Sequence, residues 1–234
     1  MKLVILAGGY GTRLSEETKT KPKPLIKIGD KPIIWHLMKI YSSFGINEFI
    51  ICLGYKGGMI RDELKAYTEK ENWVINFVDT GLHTMTGGRV RRVKKYLRYE
   101  KNFCLSYGDG LSNINIKKLI KFHVNAGKIA TLTAVKYKNP KGVLSIVKNS
   151  KVNKIKEKPL EYINGGFFVL SQNIFKYLKN DQTIFEKDCL PLLAKKNQLV
   201  AFKHNDFWAC MDTLREKKEL NTFWKTKNCK WKIW

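Results

Sequence analysis

Residues 6–14 read LAGGYGTRL, and Lys21-Pro22-Lys23-Pro24 follows shortly after. Glycines placed directly after an apolar run let backbone N–H groups approach phosphate oxygens without side-chain obstruction. Thr12 adds a hydroxyl donor, and Arg13 adds a fixed charge that can lie on a phosphate. Prolines on both sides stiffen the chain at Lys23, so its ammonium is held close behind the glycine loop. At about 4 Å from a phosphate, such a charge is worth roughly 4 kcal/mol at an effective dielectric near 20. The chemistry this pattern suits is the binding and neutralisation of a triphosphate. Two familiar loops are excluded. No Gly-Lys-Ser/Thr closes the turn, as a P-loop requires, and Leu14 stands where the dinucleotide fingerprint needs its third glycine.

These groups need elements to hold them. Lys2–Ala7, Phe49–Leu53, Val74–Val78 and Phe103–Tyr107 read as short buried strands. Pro32–Phe44, Met59–Tyr67, Gly88–Leu97 and Ile116–Val124 read as helices between and after them, the last with Leu119, Ile120 and Val124 facing inward. Strict alternation of strand and helix predicts an α/β fold: a doubly wound, mostly parallel, Rossmann-like sheet. The second half is more mixed, with strands expected at Ala130–Val135, Val143–Val147 and Gly166–Leu170 and helices at Phe185–Ala194 and Thr213–Trp224. Lys136–Gly142 reads as a surface loop. With no repeat or linker, residues 1–234 are expected to form a single domain. Asp109, between Gly108 and Gly110, follows a strand, where carboxylates of open parallel sheets face the ligand crevice. Asp212, just before Thr213–Trp224, could instead serve as the cap of that helix.

Composition narrows the class. Hydrophobic residues at 44% and charged residues at 27% are ordinary for a folded protein and argue against disorder. No apolar run approaches the roughly 20 residues of a membrane span. The apolar core of MKLVILAGG is shorter than a leader needs, so a cytoplasmic protein is expected. Five widely spaced cysteines without a CxxC pair exclude a zinc ribbon and fit reduced thiols. The net charge of +24 is concentrated in residues 81–160, which hold 19 basic and 3 acidic side chains. Such a field attracts polyanions. The lysines are nevertheless scattered and lack the aromatic interleaving that stacks bases, so a solvated surface is favoured over a nucleic-acid partner.

With LAGGYGTRL (6–14), KPKPLIKIGDKPIIWH (21–36), VDTG (78–81), MTGGRVRRV (85–93), YGDG (107–110), EKP (157–159), NGGFFVL (164–170) and MDTLREK (211–217), the chain resembles the sugar-1-phosphate nucleotidylyltransferases. Within them it looks most like the glucose-1-phosphate cytidylyltransferases. The resemblance implies that Leu6, Gly8, Gly9, Gly11, Thr12 and Arg13 hold the nucleoside triphosphate and that Lys23 contacts its phosphates. It places the base at Thr86, Gly87 and Gly88. It assigns Asp109 to the nucleotide and to Mg²⁺, and Asp212 to the same ion. Glu157, Lys158, Gly165 and Gly166 would grip the sugar phosphate. One departure is a Gly57–Phe77 segment shorter than in the cytidylyltransferases, which bears on base selection and on assembly.

The resulting expectation is an enzyme that joins CTP and a sugar 1-phosphate, foremost α-D-glucose 1-phosphate, into a CDP-sugar with release of pyrophosphate. Arg13 and Lys23 are its catalytic cations and Mg²⁺ its cofactor. CTP and the sugar phosphate are its partners, beside further copies of itself in a homo-oligomer. The alternatives are a different sugar or nucleotide, or a silent nucleotide-binding regulatory module. The silent reading is disfavoured because Arg13, Lys23, Asp109, Lys158 and Asp212 are all present. His36 reads as a packing histidine, Trp208 as a candidate wall of the sugar pocket, and Trp231 and Trp234 as anchors of the tail.

Overall fold

The computed structural model describes residues 1–138, 141–226 and 229–234. Its central sheet has seven strands: β1 (Leu3–Leu6), β2 (Glu48–Leu53), β3 (Val74–Asp79), β4 (Asn102–Tyr107), β5 (Ala130–Lys138), β6 (Leu160–Ser171) and β7 (Leu199–His204). They lie in the order β7-β5-β6-β4-β1-β2-β3. Every neighbour pair is parallel except those of β6, which runs against both β4 and β5. Side chains alternate across a strand, and here each face has its own core. Leu3 and Ile5 pack in one buried cluster with Phe49 and Ile51, while Val4, Ile50 and Cys52 belong to a second with Phe103 and Leu105. That division makes the sheet doubly wound, and it explains why the strands read as continuous apolar runs.

Besides a single turn at Ser15–Thr18, the helices are α1 (Ile33–Ser42), α2 (Gly57–Glu71), α3 (Thr86–Arg92), α4 (Ile116–Ala126), α5 (Leu190–Lys195) and α6 (Leu214–Lys225). Pro32 opens α1 with an extended backbone and carries no N–H to waste. Asn115 caps α4 by accepting from Lys118 N–H, and Gly127 ends it at a φ of 61°. The buried face of α4 is completed by His123, not by Val124, which is 57% exposed. His123 takes that place because its Nδ1 pairs with Thr131 Oγ1 at 2.9 Å. The span expected as one helix, Phe185–Ala194, starts as a wide π-helical turn over Phe185–Cys189 before α5.

Several elements were not foreseen, among them β7 and the strand Val152–Lys156. β7 is a half-buried edge strand, too mixed in polarity to announce itself. Val152–Lys156 pairs with Val143–Ile146 in an exposed ribbon outside the main sheet, so the second half's strands are not all one sheet. Residues 136–138 of the expected loop continue β5, and 139–140 lie outside the described residues.

Two buried polar groups bind the frame together. Arg89, on α3, is 5% exposed. Its guanidinium donates to Gly8 O at 3.1 Å, Leu53 O at 2.9 Å and Thr80 Oγ1 at 2.6 Å, which are the carboxyl ends of β1, β2 and β3. Burial holds its pKa below the ordinary guanidinium range, and the three strand ends supply the acceptors that make its burial tolerable. His36, on α1, is fully buried among the rings of Trp35, Trp224, Trp231 and Trp234. Its Nε2–H donates to Ile28 O at 2.9 Å, and Trp231 Nε1–H lies 3.5 Å from Nδ1. Burial lowers its pKa to about 4 against the carboxylate of Asp30, so the imidazole is neutral in the fold.

A methyl group at residue 8 would stand 2.2 Å from Arg89 Nη1 and 3.0 Å from the Gly54 backbone. Gly8→Ala is therefore expected to cost about 1–3 kcal/mol, the range for overpacking, as read by urea denaturation. The His36 prediction follows from linkage. An unfolded chain protonates this histidine near 6.5 and the folded one near 4, so its contribution is complete above pH 6.5 and is lost as the pH falls toward 4. Between pH 7.5 and pH 5.0 the loss is about 2 kcal/mol, and His36→Gln should flatten that slope in the same denaturation series.

Candidate active site

At the carboxyl ends of the parallel strands lies a crevice of about 1020 Å³, the place where open α/β sheets take ligands. The loop after β1 forms its floor with Gly8, Gly9 and Gly11, and Arg13 and Lys23 stand at its side. Leu6 and Asp109 line it as well, as do Gly165 and Gly166 of β6. Gly11 has a φ of 66°, and a Cβ there would press on Thr18 and on the Lys23 stem at 2.9 and 3.1 Å. The loop is thus shaped for backbone rather than side chain.

The centre of the crevice is an ion cluster. Lys23 sits in a 3₁₀ turn, Lys23–Leu25, led by Pro22 and closed by Ile26 N–H donating to Lys23 O at 3.1 Å. Its Nζ is 2.5 Å from Asp109 Oδ2 and 2.5 Å from Asp212 Oδ1. The carboxylates come from distant segments, brought together by a short antiparallel ladder. Gly110–Ser112 pairs with Trp208–Cys210, and Met211 N–H donates to Asp109 O at 3.1 Å. Lys23 is 8% exposed. Burial alone would lower its pKa, but the charges and hydrogen bonds of Asp109 and Asp212 outweigh that and raise it, so it remains an ammonium. Arg13 Nη1 reaches the other oxygen of Asp212 at 2.6 Å while its side chain stays 73% exposed, open to a ligand.

Asp212 is not the helix cap. Thr213 is: its hydroxyl accepts from Glu216 N–H, and the Glu216 carboxylate accepts from Asp212 N–H at 2.7 Å and Thr213 N–H at 2.8 Å. The capping box leaves the Asp212 carboxylate to the crevice.

Not every expected residue comes to this crevice. Thr12 lies exposed in the turn Thr12–Leu14 and is not in the lining. Thr86 lines the crevice, but Gly87 and Gly88, in the first turn of α3, are buried and off the lining. A Cβ on Gly87 would meet Thr183 O at 2.8 Å and one on Gly88 would meet Asp181 O at 2.4 Å, so these glycines serve close packing. Glu157 and Lys158 are exposed and off the crevice, because they join the outlying ribbon to β6, whose chain enters the lining only at Ile163.

The far wall holds groups that sequence reasoning missed. Glu186 accepts from Tyr107 O–H at 2.5 Å and from Thr86 O–H at 2.6 Å. Phe185 N–H donates to Thr86 Oγ1 at 2.9 Å, and Asn164 Nδ2–H donates to the Tyr107 phenol oxygen, Oη, at 3.3 Å. Burial, and next the Glu186 charge, push the Tyr107 pKa up, so it remains a phenol donor. A shift of register between Asn164 and Phe168 turns the Asn164-Gly165-Gly166 backbone into the crevice, with Gly166 at a φ of 78°. Trp208 Nε1–H donates to Gly165 O at 2.7 Å, so the tryptophan is part of this wall. The π-helical turn aims Glu186 inward, and no motif announced it. Arg89, which supports the loop from below, was hidden within MTGGR as one more arginine in a basic stretch.

Two carboxylates aimed at one cation position are the donor set magnesium takes when phosphates and water complete its shell. Among the described residues, no cluster of three or more His, Cys, Asp or Glu side chains could hold a metal by itself. Asp109 and Asp212 thus fit an ion that arrives with a phosphate ligand. Among the described residues no helix is long and apolar enough to cross a membrane.

Comparison with known proteins agrees with this geometry. The chain is 44% identical to glucose-1-phosphate cytidylyltransferase of Salmonella typhimurium and 41% identical to a probable glucose-1-phosphate cytidylyltransferase of Bacillus subtilis, each over the full length of both chains. The first alignment spans 257 positions against 234 residues here, so it includes positions this chain lacks. The crystal structure of HddC from Yersinia pseudotuberculosis superposes with a TM-score of 0.77 at 27% identity, covering 95% of this chain and 99% of that one. A putative glucose-1-phosphate thymidylyltransferase from Bacillus anthracis shares the fold, with a TM-score of 0.78 at 21% identity, over 95% and 94% of the two chains. Residues 2–224 match the nucleotidyl transferase family, and the chain belongs to it.

Proposed function

We propose that this protein joins CTP and α-D-glucose 1-phosphate to give CDP-glucose and pyrophosphate. The observation that carries the reading is the meeting of Lys23, Arg13, Asp109 and Asp212 at the mouth of the glycine loop. The choice of CTP and glucose 1-phosphate follows the relatives that align over their whole length.

A phosphate oxygen of the sugar phosphate attacks the α-phosphorus of CTP in line, and the bond to the β-phosphate oxygen breaks as pyrophosphate leaves. The nucleophile is already an anion, so no general base is required. The barrier is the repulsion between two polyanions and the cost of aligning them. Gly8, Gly9 and Gly11 present backbone to the triphosphate, and Arg13 and Lys23 neutralise charge that grows on the phosphoryl oxygens. Mg²⁺, held by Asp109 and Asp212, would supply further neutralisation of the phosphates. Gly165, Gly166, Asn164 and Trp208 form the wall suited to the sugar end, and residues 82–86 the wall suited to the base. Glu157 and Lys158 would join the site only through a movement of the ribbon that precedes them. We place the enzyme in the cytoplasm, working as a homo-oligomer.

The test is pyrophosphate release with CTP, UTP, GTP and dTTP against a panel of sugar 1-phosphates. Full turnover is expected with CTP and glucose 1-phosphate alone. Activity confined to UTP or dTTP would remove the base assignment, and no activity with any pair would remove the reaction. Lys23→Ala should lower turnover by about 10²–10³ while circular dichroism shows the fold retained.

A further inference from the structure

We propose that Lys23 is the resident counter-ion of Asp109 and Asp212: it holds the two carboxylates at one cation position until a divalent ion entering with nucleotide replaces it. The proposal rests on Asp109 and Asp212 being the metal ligands, as read above, and it gives Lys23 a positioning role that precedes catalysis.

The argument is one of space and charge. Lys23 Nζ stands 2.5 Å from an oxygen of each carboxylate. Magnesium takes oxygen ligands at about 2.1 Å, so an ion on the same two oxygens would overlap the ammonium. The two cannot share the position. The pair also needs a cation. Two carboxylates converging at one point repel each other, and partly buried charge without a partner is costly. Asp212 is anchored by Arg13 on its other oxygen, yet the cation that spans both aspartates is Lys23. It is one of the most enclosed charged groups in the molecule, and the turn at Pro22–Leu25 fixes its backbone.

This arrangement sets an order of events. In the nucleotide-free protein, a divalent ion must evict an ammonium whose two side-chain hydrogen bonds both go to Asp109 and Asp212. When a triphosphate lies on the glycine loop, its oxygens accept the ammonium as the metal takes the carboxylates. Metal binding and nucleotide binding are then favourably coupled, and by linkage each tightens the other. A cation stands between the two carboxylates at every stage, so they stay in place for the ion.

The experiment is Mn²⁺ titration of the nucleotide-free protein, with free Mn²⁺ read by electron paramagnetic resonance. Lys23→Met keeps the length of the stem and vacates the position, and it is expected to bind Mn²⁺ at least tenfold more tightly than the unchanged protein. Arg13→Met removes a charge that touches Asp212 without vacating the position, and a tightening clearly smaller than that of Lys23→Met is expected. Equal binding in all three proteins, or equal tightening by both variants, overturns the proposal. No saturable binding in any of them overturns the proposal, and the metal reading, in which the ion arrives with a phosphate ligand, falls with it only if Mn²⁺ also fails to bind in the presence of inorganic triphosphate. Neither outcome involves CTP or a sugar phosphate, so the substrate assignment is judged separately by its own panel. Should Lys23→Met fail to fold by circular dichroism, the unchanged protein supplies the answer through reductive methylation mapped by peptide mass spectrometry. Saturating Mn²⁺ should raise labelling of Lys23 at least threefold relative to exposed Lys148, and constant labelling overturns the proposal.

Discussion

The contact between the Lys23 ammonium and the carboxylates of Asp109 and Asp212 is the interaction on which the rest of this molecule turns. It ties together residues 23, 109 and 212, which no local structure could align. Each reaches it by a different device: a proline-led turn, a glycine-flanked strand end and a two-residue overhang from a short ladder. An electrostatic site of this kind acts only if its charges are fixed before the substrate arrives, because reorientation during reaction would consume the gain. The fold's main labour is therefore to keep a few charges still.

The stillness comes from below the crevice. β1 is only four residues long, yet it lies between β2 and β4 with both faces buried, so the loop that leaves it starts from a rigid point. Arg89 then fastens the ends of β1, β2 and β3 through carbonyl and hydroxyl acceptors. The bare α-carbons of Gly8 and Gly54 leave room for its guanidinium. A buried arginine satisfied by backbone oxygens contributes specificity of arrangement more than stability, since its desolvation offsets much of the hydrogen-bond gain. The reversed strand β6 adds what a purely parallel sheet would lack. Its irregularity beside Tyr107 exposes backbone at the crevice and creates a second wall with Glu186 and Trp208.

What could be read from the sequence, and what could not, follows from how local each device is. The alternation of strands and helices, the glycine loop, Lys23 and the strand-end Asp109 are written in contiguous residues, and the parallel half of the sheet stands as expected. Asp212 was ambiguous because a carboxylate before a helix can cap it; only the position of Glu216, three residues after Thr213, resolves the matter. Gly87 and Gly88 illustrate the opposite limit. A glycine pair after Thr86 can signal approach of a ligand or approach of another backbone, and here it is residues 181–183 that approach. Glu186 was illegible because its direction depends on a π-helical turn, whose hydrogen bonding has no residue signature of its own. β7 was missed for a related reason: an edge strand is half solvated, and its polarity pattern is diluted accordingly.

The basic middle third of the chain shows that charge in sequence and charge at a site are different quantities. Of its cations, Arg89 is buried as a structural tie, and Arg92 forms a bidentate pair with Asp181. Lys117, Lys118 and Lys121 stand on the outer face of α4, and Lys148, Lys151, Lys154 and Lys156 decorate the exposed ribbon. None of these lysines lines the crevice. The two cations at the cluster, Arg13 and Lys23, belong instead to the first third of the chain, where charge is nearly balanced. A surface excess of this kind, screened beyond about 10 Å at ordinary ionic strength, can draw anionic substrates toward the protein and raise their local concentration. It cannot place them. Placement is left to two short-range charges whose positions are set by aspartates, and that is why so basic a protein still keeps a pair of acids at the centre of an anion-binding site.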